Sequence, residues 1–481
     1  MNHTIIEYIN QHAIETPNKL AIVDENIELT YKQYWHKILS VAAFLKSIGS
    51  DAGDFIVVKN TQTVQFMVAI HAVQLINAIV VPIEKSANEG RVKSLVQETG
   101  AKKLLGDLVV EECDCYTVEE AYLFDGSLDE YTFPSSNEIS MVLFTTGTTG
   151  KSKGVVISHR AERAVGENLM ISVAMQENNV ELLPMPMNHA YSLRRYFANM
   201  VNGCTAIILD GVFFVQRVFA MMDKYQATSI AMAPAALNII FQLSKDKLGE
   251  YAEQLDYLQF GTAPISEADK NRLIELLPNV RLYNVYASTE MGCVCVLNFN
   301  SEDNKPSCLG YASRGTSFKM VDENGNELSE TTVDAPGLIT YTGDMLMEGY
   351  YKEPELTSKT IVNGYIQTSD LGYQDAEGRV YMLGRADDVI STGGNKVSPL
   401  EVEDIAKQYP GIIDCICKGK TDKRLGAVPL LYIVADEEID TKKLSEHMAN
   451  QLEDFKRPRS IKKIDEVPRT YNGKVDRKTE I

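Results

Sequence analysis

The chain has 481 residues, 44% of them hydrophobic and 23% charged, which is the composition of a globular protein able to bury its own core. Its formal net charge of −19 argues against nucleic acid or an anionic membrane as the main partner. The eight cysteines show C-x-C pairs but no zinc-site spacing, so we interpret them as reduced thiols and expect a cytoplasmic protein. No signal-peptide pattern is seen, and the longest apolar run, 69–83, is too short and too polar to span a membrane.

Helical and strand patterns alternate through the first part of the chain. Apolar spacing predicts a helix over 31–49 that ends at a glycine, a buried strand over 55–60 and a second helix over 64–77. Further short strands are predicted at 79–83, 205–209, 229–233 and 281–286. This alternation predicts an α/β fold with largely parallel sheets.

The pattern changes twice in the last third of the chain. Short strands, glycines and turns continue to about residue 384, and a compact α+β pattern follows from residue 386. We therefore predict a domain boundary within GRADD, 384–388.

A polar stretch, TTGTTGKSKG at 145–154, follows the apolar run ISMVLF. It fails the Walker A pattern, because Thr145 stands where that pattern requires its first glycine. Its hydroxyls, glycines and lysines nevertheless suit phosphate binding, through side-chain and backbone donors and positive charge. The alternative is an ordinary polar turn after a buried strand.

Four more motifs with chemistry-bearing side chains lie far apart along the chain. They are NVYASTEMG at 284–292, IQTSDLG at 366–372, LGRADDVISTGGNKVSPLEVE at 383–403 and PRTYNGKVDRK at 468–478. The last motif lies in a basic segment, 456–478, which is either a solvated face or a site for phosphates or an acidic partner.

In this order, the motifs resemble those of the adenylate-forming enzymes: acyl-CoA synthetases, nonribosomal peptide synthetase adenylation domains and luciferases. LTYKQY, VVPIE, FGTAPI and PGLITYTGDMLMEGYY resemble further motifs of this superfamily, so the resemblance spans nearly the whole chain. It implies a large N-terminal domain (1–384) of α/β subdomains plus a distorted β-barrel. It also implies a hinge at 385–387 and a small mobile α+β C-terminal domain (388–481).

The resemblance implies a reaction as well. ATP would activate a carboxylic acid as an acyl-adenylate with release of pyrophosphate, and a pantetheine thiol would then take the acyl group. The implied cofactors are ATP and Mg²⁺, and the acceptor is CoA or a phosphopantetheinyl carrier protein. The closest group is the AMP-dependent acyl- or aryl-CoA ligases.

Roles for individual residues in the first step follow from the resemblance. Lys474 would bridge the acyl carboxylate and the α-phosphate, Glu290 would bind Mg²⁺, and Thr289 would contact the α-phosphate. The expected ATP-binding residues are Thr145, Thr146, Gly147, Thr148, Thr149, Gly150 and Lys151 at the phosphates, with Tyr286, Ala287, Ser288, Asp370 and Arg385 at the adenosine end. The alternatives are a solvated carboxylate for Glu290, a helix cap for Asp370 and a surface charge for Lys474.

For the second step, the resemblance makes Asp387 the hinge about which the small domain rotates. Gly393 and Gly394 would let a pantetheine arm approach closely, and Lys396 would meet the phosphates of CoA or an acidic carrier protein. The alternative for Lys396 is an ordinary exposed lysine.

The acyl pocket is expected to involve the segment 182–197. His189 would gate or line the carboxylate end and act in catalysis, and the other expected pocket residues are Tyr191, Arg195 and Gly261. Amino-acid-activating members usually place an Asp after a Phe here, and this sequence has Asn-His instead, which argues against an α-amino acid. Arg194 and Arg195 are interpreted as surface arginines of a helix, unless one faces inward and pairs with a second carboxylate of the substrate.

Two departures from the superfamily pattern bear on substrate and nucleotide. Ala287 replaces a glycine of Y-G-x-T-E, which adds a methyl near the acyl carbon and favours a narrow or short substrate. Ser369 replaces the glycine of T-G-D, a milder change.

Three alternatives to an acyl-CoA synthetase stay open from the sequence. The first is a stand-alone adenylation enzyme that loads an acyl or aminoacyl group onto a carrier protein. The second is a non-catalytic nucleotide-binding protein, which intact Glu290, Arg385 and Lys474 disfavour. The third is a P-loop kinase, which Thr145 disfavours.

Overall fold

The computed structural model describes residues 3–145, 152–301, 303–435, 439–469 and 475–481. Its strands are β1 (Leu20–Val23), β2 (Glu28–Thr30), β3 (Phe55–Lys59), β4 (Ile79–Ile83), β5 (Lys103–Leu105), β6 (Asp114–Tyr116), β7 (Ile139–Thr145), β8 (Lys153–Ser158), β9 (Val180–Leu183), β10 (Thr205–Ile208), β11 (Ser229–Met232), β12 (Tyr257–Phe260), β13 (Arg281–Ser288), β14 (Gly292–Asn298), β15 (Cys308–Ala312), β16 (Thr316–Val321), β17 (Gly337–Gly343), β18 (Gly349–Tyr350), β19 (Ile361–Val362), β20 (Tyr365–Gln374), β21 (Val380–Arg385), β22 (Ile390–Thr392), β23 (Asn395–Val397), β24 (Asp414–Asp422), β25 (Gly426–Val434) and β26 (Ser460–Lys463).

The helices fill the intervals between these strands, mostly in the N-terminal two thirds. They are α1 (Ile5–Glu15), α2 (Tyr31–Ser47), α3 (Val64–Leu75), α4 (Glu89–Thr99), α5 (Val118–Leu123), α6 (His159–Ser172), α7 (Ala190–Val201), α8 (Val215–Tyr225), α9 (Pro234–Ser244), α10 (Glu267–Leu276), α11 (Pro354–Thr360), α12 (Pro399–Lys407) and α13 (Thr441–Ala449). The first two begin with capping boxes on Thr4 and Thr30, in which side chain and backbone satisfy each other's free donors. The helix predicted over 31–49 is confirmed: α2 ends at Ser47, just before the left-handed Gly49.

The largest sheet has a parallel core and an antiparallel extension. Its strand order is β16-β17-β20-β21-β15-β14-β13-β12-β11-β9-β10-β1-β2, with β19 beside β20. Pairing is parallel from β1 through β10, β9, β11 and β12 to β13, as short buried strands separated by helices predict. From β13 to β16 the pairing is antiparallel, and this region is the one that the sequence analysis assigned to a distorted β-barrel.

A second sheet carries the segment with the predicted phosphate loop. Its order is β18-β8-β7-β4-β3-β5-β6, parallel from β7 to β6 and antiparallel at the β7–β8 hairpin and at β18. The main hydrophobic core lies between this sheet, the first sheet and helices α1, α2, α3, α6 and α7. Because α7 is almost wholly buried, polar side chains on it must find partners inside the protein.

The C-terminal part is a smaller α+β unit. Strands β22 to β25 pair in the order β23-β22-β25-β24, β26 joins β25 in parallel, and α12 and α13 pack on this sheet over their own apolar cluster. The large N-terminal and smaller C-terminal domains agree with the predicted fold class. The boundary at 384 and the hinge at 385–387 stay predictions.

The cysteines follow the prediction of reduced core or half-buried thiols. All eight are free, six are buried, and the half-buried pair Cys113 and Cys115 has its sulfur atoms 3.9 Å apart at the start of β6. None of the helices in the described ranges is long and apolar enough to cross a lipid bilayer.

Candidate active site

Strand β13 delivers the central motif to the end of the parallel core. The ladder between β13 and β14 shifts register between Tyr286 and Ala287, and the chain turns at Thr289 and Glu290 before β14 begins. Such an irregularity at a strand end re-aims side chains out of the ladder. Ala287 is exposed there, and Tyr286, Ser288, Thr289 and Glu290 are half-buried.

Tyr286 and Asp370 meet although 84 residues separate them. The hydroxyl of Tyr286 donates a hydrogen bond to Oδ2 of Asp370. Burial, with Tyr341 and Asp370 nearby, raises the pKa of Tyr286 well above its ordinary value, so the phenol keeps its proton. The structure thus brings together the two residues expected at adenine and ribose.

Arg385 completes this corner of the site. It lies directly opposite Asp370 in the β20–β21 ladder, with 3.9 Å between its Nε and the Asp370 carboxylate. Both Nε and Nη2 of Arg385 donate to Oγ of Ser369, the Nε bond being 3.0 Å long. The serine that replaces the superfamily glycine therefore holds the guanidinium beside Asp370, the residue expected at the ribose.

Glu290 is a half-buried carboxylate at the turn between β13 and β14. Its Oε1 accepts a hydrogen bond of 2.8 Å from the hydroxyl of Tyr350, whose ring lies 5.5 Å from Nζ of Lys153. In the described residues, no group of three or more His, Cys, Asp and Glu side chains could hold a metal ion by itself. A single carboxylate fits Mg²⁺ that is coordinated mainly by substrate phosphates and water.

The described residues at the two ends of the predicted phosphate loop belong to β7 and β8. Thr145 pairs with Lys153, and Oγ of Ser152 donates to the Thr145 carbonyl at 2.8 Å, which joins the two strands at this point. The remaining predicted loop residues lie outside the described residues, as does Lys474; they are Thr146, Gly147, Thr148, Thr149, Gly150 and Lys151. Their assigned roles stay predictions.

His189 and Tyr191 form the start of α7 on the acid side. His189 is the N-cap, and its Nδ1 accepts from the backbone N–H of Tyr191 at 3.3 Å. The Tyr191 hydroxyl lies 3.0 Å from the carbonyl of Gln259 and 3.3 Å from that of Met232. A Cβ built on Gly261 would lie 2.6 Å from Cε2 of Tyr191, so the glycine makes room for this ring.

The two arginines of α7 correct the sequence analysis. Their interpretation as surface arginines is wrong: Arg194 is 9% exposed and Arg195 is fully buried. Nε and Nη2 of Arg195 bind Glu181 at 3.0 and 2.6 Å, so its charge is neutralised inside the protein, and its assignment to the acyl pocket stays a prediction. Both arginines were misjudged as surface residues because α7 is buried on nearly all sides, where paired charges replace a solvated face.

The guanidinium of Arg194 lies against the turn after β13, a position that the sequence did not predict. Its Nη1 and Nη2 donate to the carbonyls of Ser288 and Thr289, directly before Glu290. Burial lowers the pKa of Arg194 to about 10 and the Glu290 carboxylate raises it, so the guanidinium stays charged at neutral pH. Arg194 thus braces the turn that presents Thr289 and Glu290.

The predicted second-step residues lie on the C-terminal sheet. Gly393 and Gly394 have φ of +58° and +89° at the β22–β23 turn, where side chains are disfavoured, and Lys396 is exposed on β23. Gly393 N–H donates to the Leu425 carbonyl at 2.9 Å, which ties this turn to the β24–β25 hairpin. The roles expected for this turn, for Lys396 and for Asp387 as a hinge stay predictions.

The basic segment 456–478 is in part structural. Lys456 pairs with Glu401 and Glu453, Arg469 with Asp414, and Arg477 with Glu403. These cations hold α12 and the sheet together, which limits the charge available for a partner.

Two family models match most of this chain. The model of the "AMP-binding enzyme" family matches residues 9–351, and that of the "AMP-binding enzyme C-terminal domain" matches 401–474. The chain therefore belongs to the family of AMP-binding enzymes.

Relatives with printed activities cover the full length of the chain. The 2-succinylbenzoate–CoA ligase of Bacillus licheniformis is 25% identical over 485 residues, 98% of each chain. The o-succinylbenzoate CoA synthetase (MenE) of Bacillus subtilis, solved with its acyl-adenylate intermediate, superimposes with a TM-score of 0.85 at 21% identity, covering 98% of this chain and 96% of that one. ATP-bound MatB from Rhodopseudomonas palustris gives 0.87 at 22% identity, covering 98% and 97%.

Proposed function

We propose that this protein is an AMP-forming acyl-CoA synthetase, which activates a carboxylic acid with ATP and transfers the acyl group to the thiol of CoA. The observation that carries the proposal is the convergence of Tyr286, Asp370, Arg385 and Glu290 from three distant motifs. The named CoA ligases among its relatives and the ATP and magnesium bound by MenE support it.

In the first step, a carboxylate oxygen attacks the α-phosphorus of ATP and pyrophosphate leaves. Both reactants are anions, so orientation and positive charge supply most of the rate. The ring of Tyr286 offers a stacking surface for adenine, while Asp370 accepts from the ribose hydroxyls beside Arg385. Mg²⁺, held by Glu290 and the phosphates, would neutralise charge on the leaving pyrophosphate.

In the second step, the CoA thiolate attacks the acyl carbon and AMP leaves with the bonding electrons. We assign Lys474 to the first step, where its ammonium would bridge the two reacting groups. Rotation about Asp387 would then bring the turn at Gly393 and Gly394, with Lys396, toward the adenylate. The left-handed glycines at that turn support this part of the proposal, because they leave a backbone surface free of side chains.

The test is acid-dependent exchange of labelled pyrophosphate into ATP, followed by AMP release on addition of CoA. We expect exchange with at least one acid of a pooled set and AMP formation only when CoA is present. No exchange with any pool, while ATP still binds, would contradict the proposal and favour a non-catalytic nucleotide-binding protein.

The acceptor of the acyl group is tested in a separate experiment. Transfer to a phosphopantetheinyl carrier protein, with free CoA inactive, would replace CoA synthetase by carrier loading. We also propose a cytoplasmic location, since ATP and CoA are supplied there and eight free thiols suit a reducing compartment.

A further inference from the structure

A pair of half-buried thiols lies at the end of the second sheet, and the proposed reaction makes no use of it. Cys113 and Cys115 form one of the three C-x-C pairs in the sequence, and their sulfur atoms lie 3.9 Å apart beside β6, the last strand of that sheet. The other six cysteines are buried. Cys113 and Cys115 are therefore the two cysteines that a dissolved reagent can contact in the folded protein.

A reversal of the chain holds the two sulfur atoms next to each other. Residues 111–113 turn after Val110 and lead into β6, where Cys115 pairs with Leu104 on β5. The Val110 N–H donates to Sγ of Cys115 at 3.4 Å, and as a thiol Cys115 donates to the Val110 carbonyl at 3.6 Å. Cys113 and Cys115 also pack against the apolar cluster that contains Leu104 and Val110. These contacts fix the sulfur of Cys115 beside that of Cys113.

The separation of the two sulfur atoms is that of atoms in contact. One thiol can donate to the other at this distance. A disulfide bond requires the sulfur atoms to approach by a further distance of about 1.9 Å. Rotation of a cysteine side chain between staggered positions moves its sulfur atom by a distance of this order.

We propose that Cys113 and Cys115 form a modification site, at which a low-molecular-weight disulfide oxidises the two thiols to an intramolecular disulfide. In the first exchange, the thiolate of one cysteine attacks a sulfur of the reagent, the S–S bond of the reagent breaks, and one half leaves as a thiolate that takes up a proton. In the second exchange, the other cysteine loses its proton, attacks the first cysteine's sulfur and releases the remaining half as a thiol. The protein gives up two hydrogen atoms, and the reagent is reduced to two thiols.

The first attack falls to Cys115 and the second to Cys113. Burial, followed by the neighbouring Cys115, raises the pKa of Cys113 to about 12, so Cys113 keeps its proton while Cys115 is free. Sγ of Cys115 accepts the Val110 N–H, and such a donor stabilises negative charge on sulfur. Once Cys115 is bound to half of the reagent, it carries no charge that opposes ionisation of Cys113.

The charges around the pair determine which probe is used. Glu111, Glu112 and Asp114 flank the two cysteines and are exposed, and Glu112 and Asp114 pair with Lys93 and Lys103. Carboxylates in this number disfavour the approach of an anionic reagent such as glutathione disulfide. The probe is therefore 2-hydroxyethyl disulfide, which is small and uncharged.

The test uses the full-length reduced protein after removal of the reductant. Incubation with 2-hydroxyethyl disulfide at about pH 8 should give a monomer that is lighter by two hydrogen atoms. Alkylation after unfolding should then label six of the eight cysteines, and peptide mapping should place the unlabelled pair at 113 and 115. Dithiothreitol should restore both thiols. A lasting adduct on the wild-type protein, a disulfide-linked dimer, unchanged thiols or loss of other cysteines would overturn the inference.

Single substitutions separate closure of the disulfide from simple exposure of a thiol. Cys113→Ser removes the second sulfur, so one hydroxyethyl adduct should persist on each chain. Cys115→Ser leaves the thiol whose pKa burial raises, so its adduct should form at least about tenfold more slowly than that of Cys113→Ser. Equal rates in the two variants, or loss of two hydrogen atoms in either of them, would overturn the inference.

Cys308→Ala is the matched control, because it removes a buried thiol on β15 and leaves the pair intact. This variant should lose two hydrogen atoms as fast as the wild-type protein. Slower closure, with the fold preserved in circular dichroism, would show that Cys308 takes part and would overturn the assignment to Cys113 and Cys115. Mass and thiol labelling are the readouts, so the result does not depend on the proposed function.

Discussion

The hydroxyl of Tyr350 donates a hydrogen bond of 2.8 Å to Oε1 of Glu290, 60 residues earlier in the chain. Tyr350 lies on β18, which pairs with β8 next to the predicted phosphate loop, so the bond connects that sheet to the turn carrying the expected Mg²⁺ ligand. Burial and the Glu290 carboxylate raise the pKa of Tyr350, which keeps the phenol as a donor. The sequence had shown Tyr350 only as part of a signature, PGLITYTGDMLMEGYY.

Removing the Tyr350 hydroxyl should weaken the binding of Mg²⁺ at Glu290 and leave the stability of the fold unchanged. Tyr350→Phe is expected to raise the Mg²⁺ concentration required for half-maximal pyrophosphate exchange about tenfold, since hydrogen bonds to charged groups contribute about 1.5–3 kcal/mol. The measurement is a Mg²⁺ titration at saturating ATP and acid. The adjacent Tyr351→Phe is the matched control, because its hydroxyl binds the Thr99 carbonyl instead. An equal change in both variants would contradict a role for the Tyr350–Glu290 bond.

Arg194 should act on the same turn from the other side. Its planar fork holds two successive carbonyls, and a lysine at this position would keep the charge but lose the second bond. Arg194→Lys is expected to lower kcat about ten- to hundredfold with a smaller effect on the KM for ATP. Arg217→Lys, at an exposed pair with Glu25, is the control. If the substitution changes only the KM for ATP and leaves kcat unchanged, Arg194 does not position the turn.

The sequence predicted which residues of the expected nucleotide site lie together better than it predicted the surroundings of the two arginines of α7. Tyr286, Asp370 and Arg385 belong to local motifs whose spacing to strand ends is visible in the chain, and the structure brings them together. Arg194 and Arg195 have no such signature: their partners lie on β9 and β13, and helix periodicity assumes one solvated face. Because α7 is enclosed on every side, its charged residues could be placed only by the tertiary structure.

A buried carboxyl in the core makes stability depend on pH. Glu162 is 1% exposed and accepts hydrogen bonds from Ser140 and Gln74, and burial raises its pKa from 4.5 to about 8. The adjacent His159 does not compensate, because burial lowers its pKa to about 4 and leaves it neutral at pH 7.

The sign of the effect follows from proton uptake on folding. Between pH 4.5 and about 8 the folded protein holds a proton on Glu162 that the unfolded chain has lost, so the free energy of unfolding falls as pH rises. The contribution is about 1.4 kcal/mol per pH unit in this window. Glu162→Gln should make the fall shallower by about that amount in urea unfolding measured from pH 5 to pH 8. Asp404, whose pKa burial raises to about 7, should keep a residual slope, and the exposed Glu446→Gln should retain the wild-type slope. Parallel slopes in wild type and Glu162→Gln would show that Glu162 ionises normally in the fold.

Lys474 is predicted to act in adenylation, and Asp387 is predicted to act as the hinge for thioester formation. Variants at these two positions test whether each residue affects only its own half-reaction. Lys474→Ala should lower pyrophosphate exchange at least about a hundredfold, because an ammonium between two anions acts on the adenylation transition state. Thioester formation from a supplied acyl-adenylate should remain within about threefold of wild type, since that step no longer joins two anions. Asp387→Pro should give the opposite pattern, because proline fixes φ where the rotation requires a backbone change. Equal losses of both half-reactions in Lys474→Ala would remove its assigned role, and thioester formation that survives in Asp387→Pro would place the hinge elsewhere.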